Sequence, residues 1–206
     1  MKFLKLIFIL LYPLCFSQDG FVISNPKKTT IPFQLINNLI FIPVNINGVD
    51  LTFLLDSGVN ETILFSLDQK EVNFNNVEKI NFSGLGESIN IEGLKSENNI
   101  VNIGKDYKDS QHLVFIILNE SINLSSHVGL PANGIIGYPF FKNHPIEINY
   151  TSKKLIIYNN EKTFAQRQKR FSEFPIAIEG NKPYIMAEVE MTDQKINSKM
   201  LLDLGN

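Results

Sequence analysis

The sequence predicts an all-β fold with a closed β-barrel lobe, followed by the start of a second, similar lobe. Three observations lead to this prediction. Apolar and β-branched runs of strand length alternate with stretches of Gly, Asn and Ser along the chain. Pro32 and Pro43 keep the first long apolar run from forming a helix. Finally, a unit of strand, turn, strand and Asp occurs near the start of the chain and again near its end.

The predicted strands of the first lobe begin with residues 31–46, which are rich in Ile, Leu, Phe and Val. Asn47 and Gly48 form a strong signal for a hairpin turn. Residues 51–55 are wholly apolar and are typical of a buried strand. The later predicted strands are residues 77–82, 100–103, 113–118, 146–150 and 154–158.

The chain divides into four segments at the sequence level. Two short stretches, residues 62–71 and 163–171, have a helical pattern. The second of these falls in a polar, basic segment that we interpret as a solvated connector. The predicted segments are a signal peptide at 1–17, the first lobe at 18–158, a linker at 159–173 and the truncated start of a second lobe at 174–206.

The first 17 residues have the pattern of a secretory signal peptide. Two lysines give a positive start, residues 6–11 form an apolar run, and Ser17 places a small residue before a cut at Gln18. The run is too short to span a bilayer. We therefore expect an exported protein, periplasmic or secreted, with no membrane span after the signal is removed. The alternatives are an N-terminal strand or helix of the fold and a lipid anchor at Cys15.

Composition argues against several function classes. The net charge is −2 and the basic residues are scattered, so no basic stripe for nucleic acid is present. Cys15 is the only cysteine, and a mature chain that starts at Gln18 has none. That chain offers no disulfide, no thiol nucleophile and no cysteine zinc site. The three histidines lie far apart without metal-ligand spacing and are predicted to be packing residues. We predict no metal and no cofactor.

The repeated unit ends in Asp56 in its first copy and in Asp203 in its second. A carboxylate at the end of a buried strand is costly unless the site uses it. Gly58 lets the chain turn and bring backbone N–H groups toward the carboxylate, and the hydroxyl of Ser57 can brace the turn. Two such loops that face each other would bring two carboxyls into hydrogen-bond reach, where they hold one proton between them. Such a pair can activate a water molecule without a metal or a covalent nucleophile.

Residues 54–58, Leu-Leu-Asp-Ser-Gly, resemble the first catalytic motif of the retropepsin-like and pepsin-like aspartic peptidases. The second hallmark of that family is two apolar residues and a glycine in the strand behind the catalytic loop. Ile135, Ile136 and Gly137 are similar to this hallmark. The family's flap, a hairpin that closes over the substrate, corresponds to Gly84, Leu85, Gly86 and Glu87. The resemblance covers most of residues 30–206 and is to exported bacterial members, in which a second lobe repeats the motif and a PDZ domain often follows.

This resemblance implies an aspartic-type endopeptidase with a retropepsin-like barrel, in which Asp56 and Asp203 form the catalytic pair. It implies a peptide or protein substrate held beneath the flap, and no cofactor. The residues that it assigns to support of the catalytic loops are Ser57, Gly58 and Gly205.

The second motif departs from the family pattern. Leu204 lacks the hydroxyl that usually braces the paired loops, and the sequence stops at Asn206. We therefore expect Asp203 to be weakly held. On this expectation the chain alone is inactive or very weak, unless two copies associate as a homodimer and face their Asp56 loops together.

Two other function classes stay open on the sequence. The chain could be an inactive, peptide-binding remnant of an aspartic peptidase that keeps the cleft but cannot cut. It could also be a β-rich envelope module, in which Asp56 and Asp203 are ordinary turn residues and Gly84 and Gly86 are hairpin glycines.

Overall fold

The computed structural model describes residues 20–83, 90–117, 132–165, 172–191 and 194–205. These residues are mostly β-strand, with two short helices among them, so the predicted all-β fold is confirmed. The predicted signal peptide, the four predicted flap residues and the end of the second helical stretch lie outside the described residues.

Strands follow one another along most of the chain. In chain order they are β1 Val22–Ile23, β2 Lys28–Pro32, β3 Gln34–Ile36, β4 Leu39–Ile46, β5 Val49–Leu55, β6 Thr62–Leu64, β7 Val77–Ser83, β8 Asn90–Ile103, β9 Tyr107–Ile116, β10 Gly134–Ile136, β11 Ile146–Asn149, β12 Lys154–Tyr158, β13 Ala177–Glu179, β14 Lys182–Met191 and β15 Gln194–Leu201. The helices are α1 Tyr138–Phe141 and α2 Glu161–Ala165.

Six strands close into a ring in the order β9, β6, β10, β5, β4 and β8, and β8 pairs again with β9. The pairings of β10 with β5 and of β6 with β9 are parallel, and the other pairings in the ring are antiparallel. This ring is the closed barrel that the sequence predicts. Because β10 is inserted between β5 and β6, the loop that joins these two strands must pass over the end of β10.

Tight turns connect the first strands. Asn47 and Gly48, with φ of 50° and 93°, join β4 to β5 as predicted. Asn37 and Asn38, with φ of 50° and 64°, form a second such turn between β3 and β4. Left-handed backbone of this kind suits Asn and Gly and gives the twist that a two-residue hairpin needs. Residues 31–46 are therefore several strands rather than one continuous run.

The helix predicted at residues 62–71 is wrong. The first three residues form β6, which lies between β9 and β10, and the rest is irregular. The β-branched Thr62 and Ile63 suit a strand in the middle of a sheet. Asp68 and Gln69 have φ of 45° and 68°, and this left-handed backbone cannot continue a right-handed helix.

The barrel interior is filled by alternate side chains of β4 and β5. The fully or almost fully buried ones are Ile40, Ile42, Val44, Ile46, Leu51, Phe53 and Leu55. Phe41 and Leu54 are buried on the opposite face of the same two strands, where they pack with Ala132. The end of β5 is thus apolar on both faces, which makes the position of the following residue, Asp56, well defined.

Two smaller sheets accompany the barrel, one of β11, β12 and β2 and one of β13, β14 and β15. The hairpin of β14 and β15 is the second copy of the predicted unit, and it leads to Asp203. The described part of the predicted linker contains α2. The division into linker and second lobe stays a prediction. None of the helices in the described residues has the length and apolar character that crossing a bilayer requires.

Candidate active site

The loop of residues 56–61 is held against the end of β10. The backbone N–H of Asp56 donates to the carbonyl of Ile136 at 3.0 Å, and the N–H of Gly137 donates to the carbonyl of Glu61 at 3.1 Å. In the parallel pairing, Ile135 lies opposite Leu54. The two motifs singled out in the sequence are therefore neighbours, as predicted.

Gly137 lies where the loop and β10 approach most closely. The N–H of Tyr138 donates to the carbonyl of Val59 at 2.9 Å. A Cβ on Gly137 would overlap that same Val59 oxygen and would lie 3.0 Å from the Glu61 oxygen. Both obstacles are backbone atoms, which cannot move aside as a flexible side chain can. Glycine is required here by the approach of two backbones.

Asp56 and Asp203 face each other across two similar loops. Gly58 N–H donates to Asp56 Oδ1 at 2.7 Å, and Gly205 N–H donates to Asp203 Oδ1 at 2.8 Å. A Cβ on Gly58 would lie 3.0 Å from Asp203 Oδ2, and a Cβ on Gly205 would overlap Asp56 Oδ2. Each glycine thus lies against the carboxyl of the opposite loop, so the two carboxyls are close enough to influence each other's charge.

Ser57 links the two loops. Its Oγ donates to the carbonyl of Leu202 at 2.6 Å and accepts from the N–H of Leu204 at 3.1 Å. The brace is one-sided, because the Leu204 side chain has no hydroxyl. It lines a largely apolar cavity of about 510 Å³, together with Ile146 and Ile148 of β11. Our expectation that Asp203 is weakly held differs from the structure, since Ser57 and Gly205 fix the residues on both sides of it.

Removing the Ser57 hydroxyl should loosen the Asp203 loop. In Ser57→Ala, the Leu204 N–H loses its acceptor, and a hydrogen bond of this kind contributes about 1 kcal/mol. We expect the Leu204 amide to exchange its hydrogen roughly 5- to 10-fold faster, measured by NMR. Ser57→Thr keeps the hydroxyl and is the control. An unchanged exchange rate in Ser57→Ala would show that other contacts hold this loop.

The surroundings of Asp56 favour its protonated form. Asp56 is 9% exposed. Burial raises its pKa above the usual 3.8, and both the charge of Asp203 and the hydrogen bond with it raise the pKa further. The backbone N–H groups of Gly58 and Val59 oppose this by favouring the ionised form. Asp56 therefore holds its proton more tightly in the folded chain than an exposed aspartate does.

This raised pKa makes Asp56 a destabilising residue at neutral pH. A carboxyl that binds its proton more tightly in the folded state adds stability below its unfolded pKa, and that contribution is lost as the pH rises through the folded pKa. We expect Asp56→Asn to raise the free energy of unfolding at pH 7 relative to the wild type, and the gain to shrink below about pH 3.8. Urea unfolding at both pH values measures this, with Asp50→Asn as an exposed control on β5, the strand that precedes Asp56. A gain independent of pH would contradict the prediction.

The remaining predicted site residues can be placed only in part. β7 and β8 pair antiparallel as far as Ser83 and Asn90, which flank the predicted flap. Gly84, Leu85, Gly86 and Glu87 themselves lie outside the described residues. Among the described residues, no three His, Cys, Asp or Glu side chains cluster so that they could hold a metal ion.

A buried polar cluster that the sequence did not predict lies beside the loop. Thr62, Asp109 and His112 are hydrogen-bonded to one another. Asp109 and His112 are three residues apart on one strand, a spacing that ordinarily puts side chains on opposite faces. No signal in the sequence marks them as neighbours.

No protein-family model matches this chain. A search of curated proteins finds no significant match either. Among solved structures, the chain is similar to a retropepsin-like aspartic protease from Rickettsia conorii, with 16% sequence identity and a TM-score of 0.46. The match covers 64% of this chain and 89% of that one. It is a distant likeness in fold.

Proposed function

We propose that this protein is an aspartic-type endopeptidase, in which Asp56 and Asp203 together activate a water molecule for attack on a peptide bond. One observation carries the proposal: two carboxyls on similar glycine loops face each other, each against the glycine of the opposite loop. Each also accepts a backbone N–H from the glycine two residues further along. A structural role would not need a second carboxyl at this position, because like charges at such a distance destabilise the folded chain.

The chemistry follows from a single proton on the pair. The ionised carboxyl removes a proton from water, and the water oxygen attacks the carbonyl carbon of the peptide bond. The protonated carboxyl donates its proton to the carbonyl oxygen, which forms a tetrahedral diol. The intermediate then collapses as the C–N bond breaks: the protonated carboxyl gives its proton to the leaving nitrogen, and a hydroxyl of the diol returns a proton to the other carboxyl. The burial that raises the pKa of Asp56 helps the pair to retain its proton.

The resemblance noted in the sequence supplies the rest of the proposal. It implies an extended peptide held beneath a flap of Gly84, Leu85, Gly86 and Glu87, in an exported protein that acts without a cofactor. The strands β7 and β8, which flank those residues along the chain, pair antiparallel as far as Ser83 and Asn90.

Cleavage of a mixed-sequence peptide library, measured by mass spectrometry across a range of pH, tests the proposed function. Because the pair titrates as a unit, the rate should follow a bell-shaped curve against pH. The rate should rise in proportion to protein concentration when the pair forms within one chain. A rise with the square of concentration would indicate a homodimer that joins two Asp56 loops, and no cleavage at any pH would refute the proposal.

A second candidate function is peptide binding without cleavage. The observation that favours it is the one-sided brace, in which Leu204 supplies no hydroxyl to the opposite loop. The same library separates the two candidates. Peptides that are retained by the protein but recovered intact at every pH would support binding alone.

A further inference from the structure

Three polar side chains form a buried chain of hydrogen bonds beside the Asp56 loop. The Nδ1 of His112 lies 2.8 Å from Asp109 Oδ2, and its Nε2 lies 2.8 Å from Thr62 Oγ1. Their exposed fractions are 5% for Asp109, 3% for His112 and 0% for Thr62. The other oxygen of Asp109 accepts the backbone N–H of Gln111 at 2.9 Å. Buried polar groups stabilise no better than apolar ones of the same size, so such a network calls for a reason beyond packing.

A β-bulge in β9 brings Asp109 and His112 to the same face. Asn99 pairs with His112 and Val101 pairs with Asp109, so that two steps on β8 correspond to three on β9. The burial pattern of β9 shifts by one residue at this place, and both side chains point inward. Bulges of this kind redirect side chains, commonly next to active sites.

Thr62 connects this cluster to the loop that carries Asp56. The loop occupies residues 56–61, and Thr62 is the residue that follows it and begins β6. In the sheet, Thr62 lies opposite Ile136, whose carbonyl accepts the N–H of Asp56 at 3.0 Å. The two ends of the loop therefore meet at one residue of β10, and the hydrogen bond between Thr62 and His112 fixes the end opposite to Asp56.

The cluster does not itself act on a substrate. A hydroxyl, an imidazole and a carboxylate in this order resemble a nucleophile with its base, but the wholly buried Thr62 hydroxyl cannot reach a peptide. Burial alone would raise the pKa of Asp109, and hydrogen bonds from His112 and Gln111 outweigh it and hold that pKa below its usual range. An ionised Asp109 fixes the orientation of the His112 ring, as a carboxylate does for an imidazole elsewhere.

We propose that Asp109, His112 and Thr62 form a positioning relay that holds the Asp56 loop in register with β10 and thereby sets the geometry of the Asp56–Asp203 pair. This inference rests on the proposed function for its kinetic consequence only. Its structural consequence, a loop held by the Thr62 hydroxyl, can be measured without any cleavage assay.

The test compares Thr62→Val, which removes the hydroxyl at nearly constant volume, with Thr62→Ser, which keeps it. In Thr62→Val we expect the amides of Asp56 and Gly58 to exchange about 10-fold faster than in the wild type. We also expect kcat to fall about 10-fold or more while KM stays within about twofold, because the loop positions the pair rather than the peptide. In Thr62→Ser we expect both the amide exchange rates and kcat to stay near their wild-type values. Thr29→Val is the matched control, since Thr29 is a buried threonine of β2 outside the relay.

Each possible result either supports or overturns the proposed relay. Unchanged amide exchange in Thr62→Val, or a Thr62→Ser variant as impaired as Thr62→Val, overturns it. A change of the same size in Thr29→Val also overturns it, because the effect would then be general. Thr62→Ala serves in the same comparison if valine prevents folding. If the wild type cleaves no peptide, the proposed function fails, and amide exchange still decides the relay.

Discussion

Asp56→Asn is expected to reduce peptide cleavage at least about a thousandfold while the chain stays folded. An amide neither gains nor loses a proton at the pH of the reaction, so the pair can no longer take a proton from water and donate one to the carbonyl oxygen. The fold should persist because asparagine keeps an oxygen that can accept the Gly58 N–H. Rates on the best library peptide, together with circular dichroism, measure the two properties separately.

The control for this experiment is Asp50→Asn, the same change at an exposed position of β5. It should leave cleavage within about twofold of the wild type. Asp203→Asn should be as impaired as Asp56→Asn, because residues that act as a unit lose activity together. Strong cleavage that survives Asp56→Asn would refute the proposed mechanism. Loss in Asp56→Asn with full activity in Asp203→Asn would instead favour a pair of Asp56 residues from two copies.

Gly137→Ala is expected to lower the free energy of unfolding by about 3 kcal/mol or more. The added Cβ would overlap the carbonyl oxygen of Val59 and crowd that of Glu61. Relief requires the Asp56 loop to move away from β10, with loss of the hydrogen bonds from Gly137 and Tyr138. Urea unfolding measures the change.

Gly180→Ala is the control for Gly137→Ala. Gly180 has φ of 54° in the turn after β13 and no atom within 4 Å of its added Cβ. Gly180→Ala should lower the free energy of unfolding by only roughly 1 to 2 kcal/mol, the cost of placing a side chain on left-handed backbone. A Gly137→Ala variant as stable as Gly180→Ala would show that the loop can shift freely.

The parts of the fold that the sequence predicted are those whose structure is encoded by neighbouring residues in the chain. β12 has the predicted bounds of 154–158, and its unbroken apolar run of residues 155–158 is a local signal for a buried strand. The turn at Asn47 and Gly48 carries its own conformational preference, which tertiary contacts do not need to supply. The contact of Asp56 with Ile136 was predictable because each residue lies in a recognisable motif, residues 54–58 and residues 135–137.

The parts that sequence did not predict depend on contacts that no local pattern encodes. Residues 62–71 have a helical pattern, but the first three are inserted between β9 and β10, and this pairing makes them a strand. The Asp109–His112 pair exists because of a bulge in β9, which is set by pairing with β8. The Ser57 brace reaches Leu202, 145 positions along the chain, so nothing local marks its partner.

The place of β10 between β5 and β6 also bears on how the chain folds. The backbone N–H of Thr52 donates to the side chain of Asn133, 81 positions away, and the parallel pairing of β5 with β10 begins beside it. A ring closed by contacts of such long separation has a high contact order and is expected to form slowly, in milliseconds to seconds. A nascent chain cannot order the Asp56 loop until residues 136–138 have been synthesised, because their backbone supplies its hydrogen-bond partners. The proposed chemistry would therefore arise late in maturation, when the barrel has already closed around its core.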